Sequence, residues 1–310
     1  MKNTKKLISA ILCGTMLFGS ALNVSADAIT STSTTQNVSG YGVALGADLT
    51  EDQKQTVLDE MGVSQDKLSD YTVVTVTNAD EHQYLDSYLS SDLIGTKAIS
   101  SCFVKTREDG AGIHVATKNI SYCTSEMYEN ALVTAGLKNA DVVVAAPFEV
   151  SGTAALVGVS KVYAEMTGTP LNAESVDAAA DELVTTQQVA QSTGDADKTS
   201  DLIAALKADA VENKDMTEDE MKSKIQEYAN QLGISLSDND IQALITLMQH
   251  LAKTNLTTED IRSQLSNLYK QLKDNGIDTG ITDAQATSLI DKISAWLSQV
   301  WKSIQNLFNS

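Results

Sequence analysis

An α+β fold is what this chain predicts, on three observations. Residues 71–77 (Tyr71-Thr72-Val73-Val74-Thr75-Val76-Thr77) are rich in β-branched side chains, which suit a pleated, half-buried strand. Between Ala98 and Ser121, two alternating runs (Ala98 to Val104, then Ile113 to Thr117) flank the turn-forming Glu108-Asp109-Gly110-Ala111-Gly112. From Leu171 onward nothing reads as a convincing strand, and apolar residues recur at helical spacing instead.

Taken in order, the chain opens with the basic Lys2, Lys5 and Lys6, an apolar run from Leu7 to Leu22, and the small residues Val24-Ser25-Ala26. That is the pattern of a secretory signal peptide, residues 1–26, cleaved near Ala26, and it places the mature protein outside the cytoplasm. The run is short for a bilayer span, and no charged stop follows it. Leu12 before Cys13 is too bulky for lipoprotein processing, so no lipid anchor is expected. Residues 27–40 are Ser/Thr-rich and read as a flexible lead-in.

An α+β domain is assigned to 41–170. Tyr41 to Ala47 forms a short strand, and the Thr50/Gln53 capping box starts a helix with Val57, Leu58 and Met61 inside and Gly62 at its end. After the 71–77 strand, Asn78 is the expected N-cap of a helix carrying Tyr84, Leu85, Tyr88 and Leu89. The 98–121 segment is expected to be a hairpin, with Cys102 facing Thr117. Its alternation puts Cys102, Val104, Ile113 and Val115 on one side and Phe103, Lys105, His114 and Ala116 on the other. A helix follows from Thr124 or Ser125 to Gly136, then the unbroken apolar strand Val142 to Ala146, suited to an interior place. This order is the ferredoxin-like β-α-β-β-α-β arrangement, with both helices on one face. Ser151-Gly152-Thr153 opens one more helix, which ends near Gly168-Thr169-Pro170 at the junction.

Residues 171–310 are read as an acidic helical domain. Met216-Thr217-x-x-Glu220-Met221, Leu236-Ser237-x-x-Asp240-Ile241 and Leu256-Thr257-x-x-Asp260-Ile261 each join a capping box to a hydrophobic staple, and Ile281-Thr282-x-x-Gln285 is a looser copy. Their spacing implies helices of about four turns with tight connections, packed as an antiparallel bundle. The last helix differs: Ile290, Ile293, Leu297, Val300, Ile304 and Leu307 form a seam flanked by Trp296, Trp301 and Phe308, and both tryptophans of the chain sit here. A stripe so wide needs a cover. The cover is the core, a protein partner or second copy seated on Trp296, Val300, Trp301, Ile304 and Phe308, or a membrane interface, the last disfavoured by the scarcity of cations.

The formal charge of −19 argues against nucleic acid and against strong affinity for anionic membranes. Three lysines and no acids leave with the leader, so the mature chain is more acidic still. Of the cysteines, Cys102 and Cys123 survive processing. An oxidising exterior favours a bridge, but the hairpin register sets the two roughly 20 Å apart at ~3.3 Å per residue, so buried thiols are expected.

No catalytic, cofactor or metal site is legible. His82, His114 and His250 fall in different elements without ligand spacing, and the expected register turns Cys102 and His114 to opposite faces. Gly152 to Ser160 has the look of a phosphate loop, but the glycine spacing is one residue too long and the lysine is missing. Gly40-Tyr41-Gly42 with Gly46 lacks a preceding strand. Asp195-Ala196-Asp197 and Asp238-Asn239-Asp240 lack the glycine and the acid of a calcium loop. Glu51 and Asp52 sit where a helix dipole favours them.

At Ile94 to Ser101, Met127 to Gly136 and Ala145 to Gly158 the chain resembles the YpuA-like family, secreted proteins of Gram-positive bacteria whose domain has no assigned function. The resemblance implies a bacterial extracytoplasmic protein and supplies no catalytic residues. The leading expectation is therefore a non-catalytic module working at the cell envelope through protein contacts. A hydrolase with a dispersed site and a divalent-cation-binding protein are the alternatives.

Overall fold

Five strands share one sheet: β1 (Tyr41–Gly46), β2 (Thr72–Val76), β3 (Ser101–Thr106), β4 (Ile113–Ile120) and β5 (Ala140–Val150), in the order β2-β1-β3-β5-β4. This computed structural model describes residues 40–261, so the leader, most of the lead-in, and the terminal stripe with Trp296, Val300, Trp301, Ile304 and Phe308 lie outside the described residues. The protein is a mixed sheet-and-helix structure, as an α+β reading requires. Four strands run the same way, because β1 pairs parallel with β2 and β4 parallel with β5, while β3 is antiparallel to both β1 and β5.

That order corrects the expected hairpin and, with it, the ferredoxin-like arrangement. Strands β3 and β4 are not neighbours: Cys102 faces Val144, and Val144 in turn faces Thr117. The reason lies in the loop. Arg107 to Gly112 is long enough to cross two inter-strand spacings, roughly 10 Å at ~4.8 Å each, and it wraps around the start of β5. Arg107 N donates to Asn139 O (2.9 Å), Gly112 N to Asn139 Oδ1 (3.0 Å), and Ala140 N to Gly112 O (3.0 Å). The Arg107 guanidinium closes the wrap with two 2.8 Å bonds to the Asp141 carboxylate. The unbroken apolar strand β5 takes the interior place its composition suits, and the face assignment survives. Cys102, Val104 and Ile113 are buried with Val115 against them, and Phe103 packs on the other side.

The helices are α1 (Glu51–Glu60), α2 (Asn78–Leu85), α3 (Ser91–Ile94), α4 (Ser125–Ala135), α5 (Thr153–Thr167), α6 (Ala173–Thr193), α7 (Ala196–Glu212), α8 (Glu218–Leu232) and α9 (Asp238–Lys253), with a 3₁₀ turn over Gln65–Asp70. Capping boxes at Thr50/Gln53, Thr217/Glu220 and Ser237/Asp240 start α1, α8 and α9. Helix α2 is capped one residue earlier than its sequence suggests: Thr77 is the N-cap with Asp80 as its box partner, and the Asn78 amide instead reaches Gly95 O (3.2 Å).

Helix α1 covers one face of the sheet, where Val57 and Leu58 meet Val43, Leu45 and Ala145. Helices α4 and α5 cover the other. Helix α5 lies so close that a Cβ on Gly158 would come within 2.9 Å of Ala44 Cβ, so that position accepts only glycine without a shift of the helix. The apolar core on this side runs on without a break into α6, α7, α8 and α9.

Inside that core is a sealed polar cluster. Lys207 on α7 and Glu182 on α6 are both fully buried and pair at 2.8 Å. Lys207 Nζ also donates to Asn130 O of α4 (2.7 Å), Asn130 Nδ2 donates to Ser200 O (3.0 Å), and the Thr134 hydroxyl donates to the second oxygen of Glu182. Burial pulls the Lys207 pKa down, against the pull of Glu182. Removing one partner strands a charge in the core, whereas removing both does not. Lys207→Met is therefore expected to lose about 3–5 kcal/mol in urea unfolding, and the pair Lys207→Met with Glu182→Leu to recover most of it.

Candidate functional site

Because β1, β2, β4 and β5 run the same way, the helices that follow them start at one edge of the sheet. Clefts at the carboxyl ends of parallel strands are where such sheets hold ligands, and a cleft of about 510 Å³ opens there. Its walls come from α2 (Glu81), the segment leading into β3 (Gly95 to Ser100), the turn after β4 (Ser121, Tyr122), the β5–α5 turn (Val150 to Ala154) and α6 (Gln187, Gln191).

The β5–α5 turn is held by sterics and hydrogen bonds together. Gly152 has φ 97°, and a Cβ there would lie 2.4 Å from the Tyr128 hydroxyl. That space is needed, because Tyr128 Oη donates to Gly152 O at 2.8 Å. With glycine at the cap, α5 has no capping side chain of its own. Ser100 supplies one from outside: its buried hydroxyl accepts from Ala155 N (3.0 Å).

Glu81 lies at the floor, 1% exposed. Its Oε1 accepts from the Thr153 hydroxyl (2.7 Å) and its Oε2 from Asn78 Nδ2 (3.3 Å). Thr153 is the first residue of α5, so the carboxylate sits where the helix dipole favours negative charge. Burial nevertheless raises the Glu81 pKa, outweighing the two hydrogen bonds that lower it. Ser151 Oγ lies 3.3 Å from Thr153 Oγ1 and extends the hydroxyl row towards the mouth. Tyr122 is half-buried, and burial pushes its phenol up to about 12. Lys97 and Asp92 stand exposed at the rim.

The structure keeps the residues screened in the sequence apart. His82 pairs with Asp86 (2.6 Å) on α2, His114 approaches Ala111 O (3.1 Å), and His250 pairs with Asp181 (2.7 Å) between α9 and α6. Cys102 and His114 stand two strands apart, with β5 between them. Cys102 and Cys123 are separate buried thiols, and burial pushes Cys102 up to about 12 and Cys123 higher. Gly152 to Ser160 is the β5–α5 turn and the first half of α5, while Gly42 and Gly46 lie in β1. Asp195 caps α7, and Asp238 and Asp240 belong to the first turn of α9. Among the described residues, no group of three or more His, Cys, Asp or Glu is placed to hold a metal ion, and no helix is long and apolar enough to cross a membrane.

Sequence reasoning missed Glu81, Ser100 and Thr153 as a group. Glu81 carried a readable signal: it shares a helical face with Leu85, so a carboxylate stands on an inward stripe. Ser100 and Thr153 carried none, being distant in sequence and joined only by the fold.

The class of protein is thus a mixed sheet with helices on both faces, whose parallel strands deliver helix starts to one polar cleft. The chain belongs to the family described as "Protein of unknown function (DUF1002)", which matches residues 45–268 and so includes every wall of the cleft. It is 37% identical over 268 residues to "Uncharacterized protein YpuA" of Bacillus subtilis (strain 168), covering 86% of this chain and 89% of that one. This bears out the YpuA-like resemblance. No solved structure matches the chain.

The raised pKa of Glu81 has a signed consequence. A folded-state pKa above the ordinary 4.5 contributes stability that is fully present below that value and is lost as pH rises through the folded pKa. Glu81→Gln keeps the acceptor for Thr153 and removes the titration. Its melting temperature is expected to gain on the wild type as pH rises from 4 towards neutrality, and a difference constant with pH would refute the assignment.

Proposed function

We propose that the protein is exported, loses residues 1–26, and works outside the cytoplasm as a non-catalytic binding protein whose cleft takes an uncharged, hydroxyl-rich ligand of the kind cell-wall glycan offers. One observation carries this reading: a buried carboxylate, Glu81, ends a row of hydroxyls and amides converging on one cleft. Serine, threonine and tyrosine hydroxyls and the amides of Gln187 and Gln191 both donate and accept, as a sugar hydroxyl does. Glu81, accepting from Thr153 and Asn78, holds the row in place from beneath, and Tyr122 adds a ring face. The same carboxylate, in a chain of net charge −19, repels anions. In this reading 41–170 holds the ligand, and the helical half that begins at 171 roofs it through α6.

The test is calorimetric titration of the mature protein with neutral, soluble wall-glycan fragments. Glu81→Gln and Thr153→Val are expected to weaken binding about tenfold or more, the weight of one hydrogen bond to a charged group. Millimolar fragments that give no heat, or equal affinity in both variants, would sink the proposal.

A second reading is a hydrolase in which Glu81 is the general acid or base, favoured by its raised pKa within a cleft. It predicts slow cleavage of the bound fragment that Glu81→Gln abolishes. Intact fragment after prolonged incubation with the wild type decides for the binding protein.

A further inference from the structure

The two edges of the sheet are finished differently. At β4 the main-chain N–H of Val115 is taken by Glu129 Oε1 of α4 at 2.8 Å, and His114 and Lys118 add charge to the strand. Plugged donors and charged side chains keep other strands from pairing at an edge. Strand β2 is the opposite edge, and it pairs only with β1. Ala47 N donates to Val76 O at 2.8 Å, so the peptide groups of Val76 face β1. Strand alternation turns those of Val73 and Thr75 outward. Both residues are exposed, and Thr72–Val76 carries no charged side chain. One outward group has a partner: Thr75 O accepts from Lys161 Nζ at 3.2 Å. Among the described residues, none pairs with the Val73 N–H, the Val73 C=O or the Thr75 N–H.

Beside this edge lies a groove of about 360 Å³ between α2, α5 and α6, within the range of ligand sites, roughly 300–1,000 Å³. Two residues join it to the edge. Val74 lines it from β2, and Lys161, whose ammonium sits on Thr75 O, lines it from α5. Its walls are mainly apolar: Leu85, Leu156 and Val157 are buried and Val176 is half-buried. The Val74 side chain packs on the face of the sheet that α5 covers. A strand laid along β2 therefore places every second side chain on that face, next to the groove.

A row of outward main-chain donors and acceptors calls for the main chain of an extended polypeptide, and the groove for its alternate side chains. Charge narrows the choice. Lys161 is already neutralised by Asp80 at 2.9 Å, which leaves the exposed Glu165 as the charge at the mouth of the groove. A cation beside the apolar side chains matches Glu165, whereas a second copy, of formal charge −19, is repelled. We infer that β2 and this groove form a peptide-binding site, in which an extended segment of another protein, with large apolar side chains at alternate positions and a basic residue flanking them, joins the five-stranded sheet as an added strand. The site shares no lining residue with the cleft, and it stands or falls apart from the reading given to the cleft.

The test is fluorescence anisotropy of a fluorescein-labelled peptide of about nine residues, leucine alternating with threonine and a lysine at each end, titrated with the mature protein. Saturable binding is expected. The same peptide with its backbone amides N-methylated keeps the side chains, loses the donors, and is expected not to bind. Val73→Pro removes an outward N–H at an edge position where proline is tolerated. It is expected to weaken binding about tenfold with the far-ultraviolet circular dichroism retained. Glu165→Lys is expected to weaken binding of this peptide about threefold and to favour a version ending in aspartates. No binding at millimolar protein overturns the inference. Equal affinity of the methylated peptide, a folded Val73→Pro that binds like the wild type, or an unchanged charge preference in Glu165→Lys does the same. A wild-type dimer in sedimentation that Val73→Pro dissolves gives the edge to a second copy and overturns it equally.

Discussion

The ion pair of Lys207 and Glu182 ties α4, α6 and α7 to one another inside the core. A buried charge is tolerated only when its partner and hydrogen bonds are all in place. Here the requirements fall on three helices at once: the Lys207 ammonium needs a carboxylate from α6 and a carbonyl from α4, and Glu182 needs the hydroxyl of Thr134 as well. Apolar contacts between α4, α6 and α7 are non-directional, whereas the polar cluster demands donors and acceptors at set positions on all three helices. It thus fixes how the helical half sits on the layer that covers the sheet.

The sheet imposes a second constraint. Parallel pairing of β1 with β2 and of β4 with β5 requires each connecting helix to leave from the same edge. The cleft is the consequence, since the first turns of helices bring backbone N–H groups that need acceptors. Ser100 meets that need at α5 by accepting from Ala155 N, since Gly152 contributes no side chain of its own, and Glu81 accepts from the Thr153 hydroxyl beside it. The polarity of the cleft is in this sense set by the topology before any ligand is considered.

Local devices were legible in the sequence, and pairings across space were not. The boxes at Thr50, Thr217 and Ser237 are readable because donor and acceptor lie three residues apart. The faces of β3 and β4 are readable because alternation belongs to a single strand. Strand order is different: a loop such as Arg107 to Gly112 can close a hairpin or straddle a third strand, and its choice here rests on Asn139, which is remote in sequence. The same holds for the site. Lys207 sits one helical turn from both Ile203 and Val211, an apolar face, and Glu81 stands on the face of Leu85, so each was marked as a charge in the wrong company. Their partners, Glu182 and Thr153, could not be read from that marking.

The two constraints meet on α6. Glu182 and Thr186 lie on its buried side, tied by the Thr186 hydroxyl to Glu182 O at 2.6 Å, while Gln187 and Gln191 face the cleft. About 7.5 Å of helix, at 1.5 Å per residue, separates Glu182 from Gln187. A helix is stiff over that length, so the ion pair that anchors one side of α6 also sets how far its amides stand from Glu81 at the floor. Asp181, next to Glu182, pairs with His250 and carries the same anchoring to α9. A loosened core pair would therefore shift the roof of the cleft as well as weaken the core, because the roof and the anchor are opposite sides of one helix.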